Sequence, residues 1–227
     1  MNLIVVNQDL EEGTMKNNFD ISFHSWVNTA CAEWEYPEPT SQYYDRVYSR
    51  IPKGLREILG LGIDKGIILT EGHKFTLKGL SDGKGPYNWF SRYKSKKEPA
   101  PNWEYFVQVA EYIRLFELID HSHLTLKFED DLMDLAVYDD ARLIACYEVK
   151  EKANQIMDLI KGIKNYQDGI DNKESDRGND PLRKVKYIFK KKPEHFCGLA
   201  IGIRFEYMIR YTTDNTFQLN PDIIPIV

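Results

Sequence analysis

Residues 128–137 read FEDDLMDLAV, and residues 144–150 read IACYEVK. Both runs are apolar and favour β-strands, yet acids and a lysine interrupt them. Burying a carboxylate or an ammonium group in a strand is costly unless the charges pair or hold a metal ion. These two runs therefore direct the prediction of the fold and the search for a functional site.

A short connection joins the two runs. Residues 139–141, Asp-Asp-Ala, have a length that suits a β-hairpin. A three-residue loop pairs Tyr138 with Arg142, and this register places Asp134 opposite Cys146.

Side-chain alternation along the strands puts Asp134, Glu148 and Lys150 on one face of the hairpin. Carboxylate oxygens are hard ligands of the kind that Mg²⁺ prefers, and a bound ion can polarise a phosphate and acidify a water molecule. The lysine can orient that water or stabilise charge that develops on the phosphate. The grouping predicts metal-dependent phosphodiester hydrolysis. Without metal the two carboxylates would repel each other, so replacing either one should be neutral or mildly stabilising.

The surrounding pattern alternates helical and strand-like segments. Asn102 is predicted as the N-cap of a helix that runs to about Asp120. Helical spacing returns from Ala153 to Tyr166, and Asp180-Pro181 predicts the start of a short basic helix that continues through Lys192. The C-terminal half is thus predicted as helix, three strands, helix, extra helix, strand. The predicted strands are Leu124–Phe128, Leu132–Tyr138, Leu143–Val149 and one bent strand, Phe196–Tyr211, with Gly198 and Gly202.

These residues resemble the PD-(D/E)xK nuclease superfamily, which includes restriction endonucleases and repair nucleases. Asp134 matches the family's first acid, and Glu148-Val149-Lys150 matches its acid-x-Lys triplet. The resemblance covers about residues 102–212 and implies a restriction-endonuclease-like αβββαβ core, a mixed central sheet flanked by helices. It also implies Mg²⁺, replaceable by Mn²⁺, bound by Asp134 and Glu148, with Lys150 as a third catalytic residue. DNA would be the substrate of a restriction-type endonuclease.

Several assignments stay open within that resemblance. Met133 stands where the family name has proline. Asp130 or Asp131 would replace Asp134 if the strand register differed, and Glu117 is a candidate for the helical glutamate that some members add. Acid-x-Lys triplets also occur by chance, and the alternative is a solvent-exposed ion pair at the rim of an ordinary sheet.

The first hundred residues are predicted to be mainly helical. Residues 1–20 are polar and predict a loose arm, and two short helices separated at Pro52 are expected from Ser41 to Leu61. Glu71-Gly72 predicts a hairpin turn directly afterwards. Helix, helix, hairpin is an order found in winged-helix modules, so this region is a possible target-recognition module.

A stretch rich in Gly, Pro, Ser and Lys, residues 79–101, predicts a linker or long loop. The predicted domains are therefore residues 1–100 and a nuclease core at 101–227. Residues 79–83 also fit the GxSxG pattern of esterases, but Lys84-Gly85-Pro86 disfavours the helix that this motif requires.

Charge and composition limit the partners. The net charge of -5 opposes general nucleic-acid affinity, but residues 91–97 and 183–192 are locally basic. The second run is predicted to contact the phosphate backbone, although such runs are also found as solvated surfaces. The predicted DNA-binding residues are Arg183, Lys184, Lys186, Lys190, Lys191 and Lys192.

Three cysteines without a CxxC pair predict reduced thiols, and no apolar stretch approaches eighteen residues. We expect a cytoplasmic protein with no membrane partner. Cleavage of both strands predicts a homodimer. His121 and His123 lack a third metal ligand at a suitable spacing. The competing class is a non-catalytic module that binds DNA or protein through a degenerate nuclease-like fold.

Overall fold

A computed structural model describes residues 18–80, 84–119, 122–166, 175–212 and 216–221. Its first part contains three helices followed by short strands. They are α1 (Asn18–Glu33), α2 (Ser41–Tyr48), α3 (Lys53–Asp64), β1 (Ile68–Glu71), β2 (Lys74–Leu77), β3 (Tyr87–Asn88), β4 (Phe90–Tyr93) and β5 (Glu98–Pro101). The two predicted helices and the predicted hairpin after them are confirmed as α2, α3 and β1–β2.

The second part contains the elements that carry the predicted site. They are α4 (Trp103–Ile119), β6 (Leu124–Asp130), β7 (Met133–Asp139), β8 (Arg142–Val149), α5 (Ala153–Tyr166), α6 (Asp180–Lys191), β9 (His195–Ala200), β10 (Ile203–Tyr211) and β11 (Phe217–Pro221). The predicted helices and the three-strand group are confirmed to within a few residues. Asn179, one residue before the predicted cap Asp180, caps α6 by accepting from Leu182 N.

Six strands form one mixed sheet in the order β11-β10-β9-β8-β7-β6. Neighbours are antiparallel except β8 and β9, which are parallel because α5 and α6 lie in the connection between them. Alternate residues face opposite sides: Leu135 and Val137 pack in the cluster with α4, whereas Ala136 and Tyr138 pack with α5 and α6. Helices therefore cover both faces, and the predicted α/β class is confirmed.

Helix α4 is buried on nearly all sides. It packs on the sheet and also on α3, and its Phe106 shares one core cluster with Phe19 and Trp26 of α1. Its buried acid Glu111 is paired with Arg204 of β10 at 2.6 Å. Side chains from both sides of residue 100 thus meet in one core, and the domain division at that residue stays a prediction.

The predicted linker is wrong for residues 87–101, which form β3, β4 and β5. Trp89 is fully buried, with its ring 4.8 Å from that of Trp26 and 4.1 Å from that of Phe75. Two adjacent aromatics, Trp89 and Phe90, anchor this stretch despite its Gly, Pro and Lys content. Residues 81–83 of the GxSxG pattern, and residues 1–17 of the predicted arm, lie outside the described residues.

The register of the β7–β8 hairpin differs from the prediction by one residue next to the turn and by two residues beyond a β-bulge. Asp139 pairs with Arg142, and a β-bulge after Val137 shifts the ladder so that Leu135 pairs with Tyr147. Asp140, with a φ of 52°, forms the tight turn. Beyond the bulge the shift of two residues preserves the facing of the side chains, so Asp134 and Glu148 keep the predicted common face while the predicted partner of Asp134 changes.

The predicted single strand from Phe196 to Tyr211 is wrong. The chain reverses after Ala200, and β9 and β10 pair antiparallel. Gly202 adopts a φ of 73° in that turn, a conformation that glycine accepts without strain. β11 then adds a further strand to β10. No helix within the described ranges is long and apolar enough to cross a membrane.

Candidate active site

Adjacent strand ends bring Asp134 and Glu148 together. Pairing of Leu135 with Tyr147 sets the two acids at the next position of the β7–β8 ladder. Asp134 Oδ2 accepts a hydrogen bond from Val149 N at 2.5 Å, so its carboxyl bridges to the backbone that follows Glu148. The sequence predicts these acids on one face, and the turn and the bulge together make them direct cross-strand neighbours.

Two lysines bind the Glu148 carboxylate, which is 2% exposed. Lys150 Nζ lies 2.6 Å from Oε1, and Lys184 Nζ lies 2.5 Å from Oε2. Lys184 also donates to the carbonyl oxygen of Leu132, in the turn just before β7. A buried carboxylate with both oxygens paired meets the usual requirement for burying charge.

This arrangement corrects the assignment of Lys184 to the DNA-contacting surface. Its side chain is 7% exposed and points into the site, because it shares the buried stripe of α6 with Tyr187 and Ile188, three and four residues later. The other basic positions of the run lie outward: Arg183, Lys190, Lys191 and Lys192 are exposed, and Lys186 is half-buried, 3.8 Å from Asp176. Lys184 is thus a site residue that sequence spacing alone assigned to the surface.

Burial, and next the charge of Glu148, raise the pKa of Asp134 to about 8. The hydrogen bond from Val149 N and the ammonium groups of Lys184 and Lys150 lower this pKa but do not offset the rise. Buried Gln108 of α4 fixes the backbone here, since its Nε2 donates to Asp134 O at 2.8 Å. Asp134 is therefore a carboxyl that holds a proton more firmly than usual and that a cation would help to ionise.

Lys150 sits at the solvent side of the group, with its side chain 24% exposed. Burial alone would lower the pKa of Lys150, but Glu148, Asp134 and Glu104 together raise it. The ammonium is therefore charged at neutral pH. Of the two lysines that bind Glu148, Lys150 is therefore the one that faces solvent.

Glu104 is an acid near the site that the sequence did not single out. It lies in the first turn of α4 as an exposed residue. Desolvation of its carboxyl raises its pKa, Lys150 lowers the pKa and Glu148 raises it. The predicted helical acid, Glu117, instead lies near the other end of α4 and pairs with Lys65. Thirteen residues of helix, about 20 Å, separate the two glutamates.

The alternative first acids lie elsewhere on the β6–β7 hairpin. Asp130 Oδ2 accepts from the Tyr138 hydroxyl at 2.5 Å. Asp131 is exposed in the turn, with a φ of 57°. Neither contacts Glu148 in the described structure, whereas Asp134 lies beside it.

The expected effect of removing Glu148 on stability also changes. Because two ammonium groups surround it, its loss would leave Lys184 buried without a carboxylate partner. The expectation of a neutral or stabilising replacement therefore holds only for Asp134, whose carboxyl is destabilised by burial and by its acidic neighbour.

The donor set suits a hard cation. Among the described residues no group of three His, Cys, Asp or Glu side chains is arranged to hold a metal ion. Mg²⁺ in phosphate chemistry commonly uses one or two carboxylates, with water and substrate oxygens completing its shell. Asp134 and Glu148 supply that number, and Glu104 lies in electrostatic contact with Lys150 and Glu148.

The candidate histidines do not form a competing site in the described structure. His121 lies outside the described residues. His123 is exposed, and its Nε2 lies 3.1 Å from Asp139 Oδ1.

Comparison of the chain with protein-family models, curated proteins and solved structures finds no match.

Proposed function

We propose that this chain is a metal-dependent endonuclease that hydrolyses phosphodiester bonds of DNA, in the manner of a restriction enzyme. The observation that carries the proposal is the meeting of Asp134, Glu148 and Lys150 at the ends of two paired strands. Burying three charged side chains in one group is costly unless they pair or bind a ligand. Two carboxylates and an ammonium group suit the hydrolysis of a phosphate ester.

The order of elements supports the proposal. One helix, α4, precedes three antiparallel strands, β6 to β8, and α5 leads to β9, parallel to β8. This order and these directions agree with the αβββαβ core that the resemblance implies. The additional helix α6 delivers Lys184 into the same site.

Each residue has a separate proposed role. Asp134 and Glu148 would hold Mg²⁺, or Mn²⁺ in its place, and the bound ion would polarise the phosphate and acidify a water molecule. Lys150 donates to charge developing on the phosphate, from the solvent side where a substrate can enter. Lys184 keeps the Glu148 carboxylate oriented from the buried side of the site. Its ammonium is itself fixed, because it also donates to Leu132 O.

The same proposal includes a cytoplasmic homodimer, because two copies of one site can cut both strands of a duplex. Sedimentation with and without DNA tests this. A chain that stays monomeric in both conditions contradicts the dimer.

Incubation with supercoiled plasmid and linear DNA, in Mg²⁺, Mn²⁺ or EDTA, tests the activity. Cleavage should require the divalent ion, and Asp134→Ala, Glu148→Ala and Lys150→Ala should each abolish it. Asp131→Ala, a nearby acid in the exposed turn, is the matched control and should retain activity. Full cleavage by Glu148→Ala in a folded protein would exclude the assignment.

One observation favours a second candidate, a non-catalytic binding module. Both oxygens of Glu148 are already satisfied by ammonium groups, which also describes a structural ion-pair cluster. Calorimetric titration of metal separates the two. A nuclease should bind Mg²⁺ or Mn²⁺ in a manner that Asp134→Ala abolishes. A binding module should show no such difference between the wild type and the variant.

A further inference from the structure

A separate two-stranded hairpin, β4–β5, projects a basic tip that the proposed site does not use. Phe90 pairs with Pro101 at its base, and Tyr93 pairs with Glu98 at its far end. The four pairs span about 13 Å. Residues 91–97 are all exposed.

The tip is strongly cationic. Residues 91–97 carry Arg92, Lys94, Lys96 and Lys97 with no acid among them. In the described part of the chain, none of the three lysines forms an ion pair. The whole chain has a net charge of -5, so this concentration of positive charge opposes the overall balance.

An exposed aromatic ring lies among these cations. Tyr93 is 42% exposed, and Lys96 Nζ lies 5.1 Å from its ring centroid. A tyrosine between an arginine and a lysine combines hydrogen bonding, stacking and charge, which suits a sugar-phosphate surface. The β1–β2 hairpin lacks this concentration of positive charge, because an acid, Glu71, pairs with Lys74 beside its turn.

The hairpin is held firmly at its inner face. Phe90 is 1% exposed, and the Tyr43 hydroxyl donates to Pro99 O at 2.9 Å. An isolated two-stranded hairpin is marginally stable in water, so this anchoring fixes the orientation of the tip. A rigid basic ribbon has the dimensions that the major groove of duplex DNA admits.

Ion pairs connect the hairpin to the neighbourhood of the site. Glu98 binds Arg46 at 2.9 Å, and Arg50, four residues further along the chain, binds Glu151 at 2.9 Å. Glu151 directly follows Lys150. Arg46 of α2 thus binds the hairpin, and Arg50, in the turn just after α2, binds the residue next to Lys150.

We propose that the tip of β4–β5, residues 92–97, is a docking surface for the backbone of duplex DNA. This inference rests on the proposed function, which it deepens by assigning a substrate contact in the N-terminal region. Lys94, Lys96 and Lys97 supply phosphate contacts, and Tyr93 packs on the sugar-phosphate surface. The contact positions the duplex and carries no sequence information of its own.

The test compares two double variants in EDTA, where binding is measured without cleavage. Lys94→Gln with Lys97→Gln removes two tip charges. Lys65→Gln with Lys78→Gln is the matched control, because these exposed lysines lie near the Glu117 end of α4. Fluorescence anisotropy of a labelled duplex gives affinity against salt, and thermal melts verify equal folding.

The tip variant should bind more weakly, and its log affinity should depend less steeply on log salt, by about 2, since each contact contributes about 0.9. The control should match the wild type. An unchanged slope in the tip variant overturns the docking surface and leaves the nuclease proposal intact. Wild-type protein that fails to bind duplex DNA, or that prefers RNA, also overturns it. DNA binding that needs the tip, without cleavage in any divalent metal, supports the docking surface and contradicts the nuclease.

Discussion

The Lys184 ammonium lies 2.5 Å from Glu148 Oε2, although 36 residues separate them in the chain. This contact joins α6 to the end of β8 inside the protein, where water is largely excluded. This ion pair therefore links α6 to Glu148, one of the two acids proposed to bind the metal ion.

Lys184→Met should destabilise the folded protein by about 3 kcal/mol, because removing one partner of a buried pair leaves the other charge poorly compensated. Lys190→Met, on the exposed part of the same helix, should change stability by less than about 0.5 kcal/mol. Urea unfolding of both variants gives the comparison. Equal stability of the two would show that the Lys184 contact contributes nothing to the fold.

The pH dependence of stability should reveal the buried carboxyl of Asp134. Its pKa is raised to about 8 in the folded chain, mainly by burial and by Glu148, against about 4 when unfolded. Between these values the folded state holds a proton that the unfolded state has lost. Raising the pH removes that proton, so its stabilising contribution is present at low pH and is lost as the pH rises to about 8.

Asp134→Asn should therefore become more stable relative to the wild type as the pH rises from 5 to 8, in metal-free buffer. The amide oxygen can still accept from Val149 N, so the local backbone contact is kept. Urea unfolding across this range measures the difference. A difference that stays constant with pH would mean that Asp134 titrates normally.

Local patterns are sufficient to predict much of the sheet and the proximity of Asp134, Glu148 and Lys150. Alternation in residues 133–149 predicts the correct face, because the turn and the β-bulge each move the register by one residue and the combined shift of two preserves parity. The bulge itself has no strong local signal, so the pairing partner of Asp134 was missed. The reversal at Gly202 was likewise read as a bend within one strand.

Lys184 and Glu104 show why the rest of the site could not be predicted. Both join the site through tertiary packing: α6 turns a lysine inward, and α4 begins beside Lys150. In α6 the buried stripe includes position 184, but a lysine among basic neighbours is usually solvent-facing. The burial of Trp89 could not be predicted for a similar reason, because the residues around it are mostly polar.

Gly198 should be intolerant of a methyl group. It lies in β9 beside Glu148 of β8, and an added Cβ would come within 2.7 Å of Ile156 Cγ1 on α5. Gly198→Ala should cost about 1–3 kcal/mol through overpacking. Gly54→Ala, where nothing lies within 4 Å, is the control and should be neutral or slightly stabilising.

Chemical denaturation of both alanine variants measures these effects. Because Gly198 adjoins Glu148 in the ladder, the first substitution should also reduce Mg²⁺-dependent cleavage more than its loss of stability explains. Unimpaired stability of Gly198→Ala would mean that α5 yields at this position.

Glu104 should matter for metal-dependent activity, whereas Glu117 should not. Both are glutamates of α4, but only Glu104 senses the charges of Lys150 and Glu148, while Glu117 pairs with Lys65 at the other end. Removing a negative charge beside a two-carboxylate site weakens its attraction for a divalent cation. Glu104→Gln should therefore lower Mg²⁺ affinity by roughly threefold to tenfold, which corresponds to about 1 kcal/mol.

Calorimetric titration with Mg²⁺ and plasmid cleavage at several Mg²⁺ concentrations test this on Glu104→Gln and Glu117→Gln. The first variant should need more Mg²⁺ for half-maximal cleavage and approach wild-type rates when the ion is saturating, because Lys150 and the two acids proposed to bind the metal remain. The second should match the wild type throughout, since a surface pair such as Glu117 with Lys65 contributes little. Equal Mg²⁺ requirements in the two variants would restrict the metal-binding acids to Asp134 and Glu148.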